Sequence, residues 1–411
     1  MTTRGGGAGA HPAGRRVLGI PSDRLWQAGF LVGSALGAAA TIAGRRMERS
    51  ARRGLVSWPD VERWAVASLR RAPGTLTAAE LRAAEADYAE AMARIVPVLS
   101  EALGSDLPGV VERAAVVDRA GWVQANVATF AELIGRIEGN LLDQVVPLGG
   151  GPGAAAMALA NRYVTTRQLG FLLGFMGARV LGQYDQALLA VEARDGRLLF
   201  VEENIRQTAA TLGLPLGPFR TWIALHETTH AFEFEAHPWL RPWLAERLER
   251  QLGAFSTNAS SLGRDALKGL GRALRGSSPG EHWMERLMGA EQLELFRETQ
   301  AVMSLLEGFS DYVMDEVGKD LVPDVERISA RFHERRVSRS RMERAILRIT
   351  GMDLKMEQYR KGELFVRAIA DARGRQALDR LWEGPESLPR HGEIDQPTRW
   401  IARVLDGAPA T

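Results

Sequence analysis

The segment from Phe219 to Trp239, FRTWIALHETTHAFEFEAHPW, constrains this chain more than any other stretch. Trp222, Ile223, Ala224 and Leu225 give it a helical apolar frame, and His226, Glu227 and His230 form an H-E-x-x-H pattern within it. Residues four apart on a helix lie one above the other, so both imidazoles can reach a single cation between them. Glu227 sits about 100° further round, beside such a cation, where a carboxylate can take a proton from an activated water. Two histidines and a glutamate can also simply be solvated on a helix face. The motif therefore needs ligands from elsewhere in the chain before it defines a site.

Composition narrows what that site can be. With 411 residues, 45% hydrophobic and 25% charged, the chain has an ordinary globular composition and enough length for a sizeable core. It contains no cysteine, which removes thiolate metal sites, iron–sulfur clusters, disulfides and cysteine nucleophiles together. Any metal must be held by histidine and carboxylate. A formal charge of +2 leaves no global electrostatic footprint for nucleic acid, and no nucleic-acid partner is expected. There are only four lysines (Lys268, Lys319, Lys355 and Lys361), so nearly all the positive charge is arginine, as in translations of high-GC genomes.

Along the chain, residues 1–22 read as a disordered tail rich in Gly, Ala, Pro and Arg. Residues 23–46 read as a Gly/Ala-rich apolar helix. Its stretch 25–44 is uncharged for twenty residues and carries Gly29, Gly33 and Gly37 at four-residue spacing, which makes it the chain's one membrane candidate. So many Gly and Ala residues weaken a spanning reading, and a helix packed within the fold is favoured. A secretory signal would not sit behind more than twenty polar residues, so the expected location is the cytoplasm.

Residues 55–195 read as a helical N-terminal region, with Val61, Trp64, Ala65 and Leu69 as one stripe and a capping box from Thr77 to Glu80. Gly149 to Gly153 marks a break, and Ala154 to Leu181 reads as one or two buried helices, apolar on most faces. In the catalytic region, residues 196–405, the run Arg197 to Val201 is the best strand, with Asn204 after it as a helix cap.

A zinc site with catalytic use needs a third protein ligand and an open position. A further helical turn of the motif offers Glu233 and Ala236 where a second pattern would require Gly and His, and His237 falls one residue late. Glu233 shares the face of His226 and His230, but three side chains along one helix cannot surround a metal tetrahedrally. A second helix must contribute. Gln300 to Asp315, QAVMSLLEGFSDYVMD, has the apolar stripe Val302, Leu305, Leu306, Phe309 and Val313, with Glu307 and Asp311 one turn apart beside it. Glu307 can bind the metal while Asp311 accepts the second ring N–H of a ligating histidine.

This Glu-x-x-x-Asp, some 75 residues after the first motif, resembles the second signature of gluzincin metallopeptidases. The stretches LVSWPDVERWAV, DRAGWVQANVATF, ARVLGQYD, HETTHAFEFEAHPW, LLEGFSDYVMD, MDLKMEQYRKGELFV and EIDQPTRWIARV are together similar to the zincin-like metallopeptidase type 2 family, whose name is linked with deazaflavin coenzyme biosynthesis. The resemblance covers nearly the whole chain after residue 50. It implies a mainly α (α+β) zincin-like fold with a small β-sheet and a large helical N-terminal region, Zn2+ as the metal, and hydrolysis of a peptide or amide bond in a peptide or protein substrate.

The spacing and the resemblance give one assignment. His226, His230 and Glu307 are the metal ligands, Glu227 is the general base and Asp311 orients a ligating histidine. The oxyanion stabiliser is expected beyond the third ligand. Tyr312, His333, Tyr359 and Arg360 are the candidates, with Tyr359 and Arg360 preferred because they lie in a matching stretch. The strand Arg197 to Val201 is a candidate edge for binding an extended peptide. His282 and His391 are expected in solvent, and Trp222, Trp239 and Trp243 in packing. The competing reading is a non-catalytic, zinc-stabilised binding protein that retains the fold.

Overall fold

The computed structural model describes residues 53–107, 109–145, 151–184, 196–251, 289–337 and 352–407. The tail, the apolar stretch 25–44 and His282 lie outside the described residues. The chain divides into two compact units, residues 1–55 with 142–164, and residues 56–141 with 165–411. Among the described residues no helix is long and apolar enough to cross a membrane.

The larger unit opens with helix α1, Trp58–Leu69, and the long helix α2, Ala78–Leu103. The capping box is present at the start of α2: Thr77 Oγ1 accepts the Glu80 N–H, and the Glu80 carboxylate accepts the Thr77 N–H at 2.8 Å. Strand β1, Ala114–Val117, leads into helix α3, Arg119–Val145, and helix α4, Gly151–Gly177, follows. The part of α4 in the larger unit presses against α1, since a Cβ on Gly170 or Gly174 would meet Trp64 or Ser68. The buried helix expected over 154–181 is buried on one side only: Met157, Tyr163, Val164 and Phe171 are each at least half exposed.

Strand β2, Gly182–Tyr184, and strand β3, Leu198–Val201, complete a three-stranded sheet ordered β1-β3-β2. β1 pairs with β3 in parallel, Ala114 opposite Leu198, and β2 pairs with β3 antiparallel, Gln183 opposite Leu199. This corrects the edge-strand expectation for Arg197 to Val201. Both sides of β3 are already hydrogen-bonded, so it has no backbone donors or acceptors to offer a peptide. The sheet also joins a strand from before residue 195 to one from after it. Four consecutive buried residues in β3 explain why this strand was visible in the sequence, as a central strand is apolar on both faces.

β3 runs directly into helix α5, Glu202–Leu212. Asn204 lies inside the first turn and does not cap it. Its amide donates to the carbonyls of Gly177 and Val180, at 2.8 and 2.7 Å, and its Oδ1 accepts from Arg119. Helix α6, Leu216–Glu235, is buried almost throughout, and the hydroxyls of Thr228 and Thr229 are satisfied by the carbonyls one turn back, Ala224 and Leu225. Helices α7, Ala290–Leu321, α8, Val325–Val337, and α9, Met352–Arg373, follow, before a C-terminal stretch of short turns. The stripe Val302, Leu305, Leu306, Phe309 and Val313 of α7 lies in the hydrophobic core, and α7 meets α6 through Ser310, Met314 and Gly318, which face His230, His226 and Leu225. On its other side α7 crosses α9 at very short range. A Cβ on Gly308 would stand 2.0 Å from the carbonyl carbon of Gly362, so only glycine fits there.

Candidate metal centre

Helix α6 presents His226 and His230 on one face, their ring centroids 4.6 Å apart, toward Glu307 of α7. The Nε2 atoms of His226 and His230 lie 3.8 and 3.6 Å from Glu307 Oε2. One donor atom from each of the three falls within 4.8 Å of the others, so these residues could hold a metal ion. A tetrahedral zinc with bonds near 2.0–2.2 Å holds its donors about 3.4 Å apart, close to the separations from Glu307. The packing of α7 on α6 thus brings Glu307 to the two histidines, as expected for a donor from a second helix.

The ring nitrogens facing away from this centre have partners of their own. His230 Nδ1 lies 2.8 Å from Glu233 Oε2 and 3.3 Å from Ser310 Oγ. His226 Nδ1 faces Met314 Sδ at 3.0 Å. Asp311 is buried next to Ser310 on α7, but the carboxylate recorded at His230 Nδ1 is that of Glu233. Burial disfavours a charged His230, yet the carboxylates of Glu233 and Glu307 outweigh it and hold the imidazole well above the ordinary histidine range. Glu233 itself is pushed up to about 7 by burial, against the opposing pull of His230.

Glu227 points elsewhere, as its position on the helix requires. Its Oε2 accepts the backbone N–H of Tyr184 at 3.0 Å, and it is buried against β2. Gly182 makes this approach possible, since a Cβ there would stand 2.6 Å from the Glu227 side chain. The Val201 N–H donates to Leu181 O, so the alternation of antiparallel pairs turns the backbone groups of Gly182 and Tyr184 away from β3. Glu227 therefore meets the edge of β2 turned away from β3, which pairs with no strand among the described residues.

Strand β2 is held there by side chains on both sides. Gln183 accepts from Trp122 Nε1 at 2.7 Å and donates to Asn126 Oδ1 at 3.0 Å, tying the strand to α3. The Tyr184 hydroxyl donates to Glu235 at 3.0 Å and accepts from Arg241, while Arg113 forks onto the same Glu235 carboxylate. Burial, with Glu235 alongside, raises the Tyr184 hydroxyl, so it acts as a neutral donor.

Of the other sequence candidates, His237 is turned away from the centre: its Nδ1–H donates to Glu233 O at 2.9 Å and its ring stacks on Trp382 at 4.9 Å. Burial lowers its pKa. Tyr312 is buried on α7, His391 is exposed, and Trp222 and Trp239 pack in or against the core. The side chains of His333, Tyr359 and Arg360 lie outside the described residues; the last two fall on α9, less than one turn before Gly362. Sequence reasoning passed over Gly182, Gln183, Tyr184, Trp122 and Asn126. They stand in the stretches DRAGWVQANVATF and ARVLGQYD, which were quoted for their resemblance without a role.

The sequence pattern of the zincin-like metallopeptidase family matches residues 56–401. None of the curated proteins matches the chain. Among solved structures, a crystal structure from Chloroflexus aurantiacus, described as "a putative hydrolase with a novel fold", is 33% identical with a TM-score of 0.61, covering 86% of this chain and 100% of that one. With the match spanning most of its length, the chain belongs to the zincin-like metallopeptidase family.

Proposed function

We propose that the protein is a zinc-dependent peptidase or amide hydrolase of gluzincin type in which His226, His230 and Glu307 hold the ion and Glu227 is the general base. The observation that supports this most is the division of labour on α6. The two histidines turn toward Glu307, while Glu227, adjacent to the first of them, is directed to the backbone N–H of Tyr184 on β2. The donor set suits zinc, because two imidazoles and one carboxylate leave a four-coordinate ion one position for water or substrate. Bound there, zinc supplies Lewis acidity toward a scissile carbonyl and toward water. Glu227 takes the proton of the attacking water at its carboxylate and passes it to the leaving amine. Tyr184 N–H fixes the orientation of that carboxylate, and the tethered strand β2 keeps the N–H in place.

The substrate is a peptide or protein segment, met in the cytoplasm and bound beside Glu227. Tyr359 and Arg360 are the proposed oxyanion donors, since the Gly308–Gly362 crossing brings their part of α9 close to Glu307. Asp311 is proposed to support the ligand cluster from α7. Wild type and Glu227→Gln are compared for zinc content and for cleavage of a quenched-fluorescence peptide library. One zinc in each, with cleavage by wild type alone, is the expected result. Zinc in both with cleavage by neither would indicate a binding protein that keeps the fold.

A further inference from the structure

We infer that Glu233 is a positioning residue that fixes the ring of His230 through Nδ1, so that Nε2 is the nitrogen turned to Glu307 and the metal. The inference rests on the metal-site reading above and deepens it, because it concerns which group sets the geometry of a ligand.

Glu233 has no exposed surface, and a buried carboxylate is costly unless a partner compensates it. The side-chain partner the structure gives it is His230 Nδ1, 2.8 Å from Oε2, while Oε1 accepts no hydrogen bond among the described residues. Its placement is a direct consequence of helix geometry. Glu233 follows His230 by three residues on α6, and side chains three apart are neighbours on a helix surface. Ser310 Oγ faces the same nitrogen from α7 at 3.3 Å.

An imidazole nitrogen flanked by a carboxylate and a hydroxyl carries the proton and donates it to the carboxylate. With Nδ1–H held in this way, Nε2 is the nitrogen left to offer a lone pair to a metal, and it faces Glu307 Oε2 at 3.6 Å. Histidine ligands of metals generally have their second ring nitrogen held in this way, and loss of the outer partner typically costs 10–100-fold in metal affinity. The ligand helix thus carries its own orienting group, and the ring is set before any metal arrives. Rotation of His230 would break the contact with Glu233 and leave a fully buried carboxylate without its partner.

The test uses the full chain and zinc alone. Zinc affinity is measured by competition with a chromophoric chelator for wild type, Glu233→Gln and Glu233→Met, with the fold checked by circular dichroism of the zinc-free proteins. Glu233→Met removes the acceptor at similar length and is expected to weaken zinc binding by about 10–100-fold. Glu233→Gln keeps an acceptor oxygen and is expected to retain most of the affinity. In parallel, NMR of histidine-labelled, zinc-free wild type should show a slowly exchanging His230 Nδ1–H that persists in Glu233→Gln and disappears in Glu233→Met.

Unchanged zinc affinity in a folded Glu233→Met protein would overturn the inference. So would a wild type without the protected Nδ1–H, which decides the matter even if Glu233→Met fails to fold. A wild type that has the protected N–H but binds no zinc would sink the metal-site reading and leave the Glu233–His230 contact standing.

Discussion

The backbone N–H of Tyr184 donates to the Glu227 carboxylate across 3.0 Å, so the proposed base is held by an edge strand and not by its own helix. In the proposed mechanism, hydrolysis then depends on β2 as closely as on α6. A Cβ at Gly182 would enter the space of the Glu227 side chain. Gly182→Ala is expected to lower kcat for peptide cleavage at least 10-fold with zinc content unchanged, within the range lost when a general base is misplaced. Steady-state kinetics beside metal analysis checks this, and an unchanged kcat would contradict it.

Trp122→Phe keeps the ring but removes the 2.7 Å bond to Gln183 that ties β2 to α3. Trp122 is almost fully buried, so the orphaned Gln183 amide should cost about 1–3 kcal/mol of stability. Denaturant unfolding measures that loss. The variant should also lose turnover without losing zinc, because β2 holds the proposed base through Tyr184 N–H.

Gly308→Ala is expected to be far more damaging than its size suggests. The added Cβ meets the backbone of Gly362, which cannot rotate away as a side chain could. Overpacking of this kind costs about 1–3 kcal/mol and more where only backbone can move. Because Glu307 is the preceding residue, zinc affinity should fall together with stability in urea titrations run with and without zinc.

His237 supplies a pH dependence separate from the metal ligands. Burial lowers its folded pKa below the usual 6.5, so the folded state binds fewer protons than the unfolded state as pH falls through that region. Its contribution to stability is full above about 6.5 and declines toward acid. His237→Phe keeps a ring against Trp382 and cannot titrate, so between pH 7.5 and 5.5 its Tm should change less in the acid direction than that of wild type. A steeper acid loss in the variant would contradict the assignment.

The grouping of His226, His230 and Glu307 was legible because helical spacing is local. His226 and His230 are one turn apart, and the apolar stripe of α7 shows which face Glu307 flanks. The capping box at Thr77 was legible for the same reason. The sheet was not. β1 is Ala-Ala-Val-Val and β2 is Gly-Gln-Tyr, too short for alternation to register, and the rank of β3 as the central strand is set by pairings far apart in sequence. Asn204 looked like a cap because the residue type suits one, but its amide is used to tie α5 to the end of α4. Glu233 shares the helix face of His226 and His230, as its spacing shows. Its contact with His230 depends on ring orientation, which spacing alone does not give.

The most direct test of the central claim is zinc per chain, measured by mass spectrometry on purified wild type and Glu307→Ala after reconstitution. Loss of one of three protein ligands, contributed by the second helix, should drop retained zinc from one per chain to well below one under dilution. A wild type that holds no zinc, or a Glu307→Ala protein that holds it as firmly, would contradict the account of how these two helices build a metal centre.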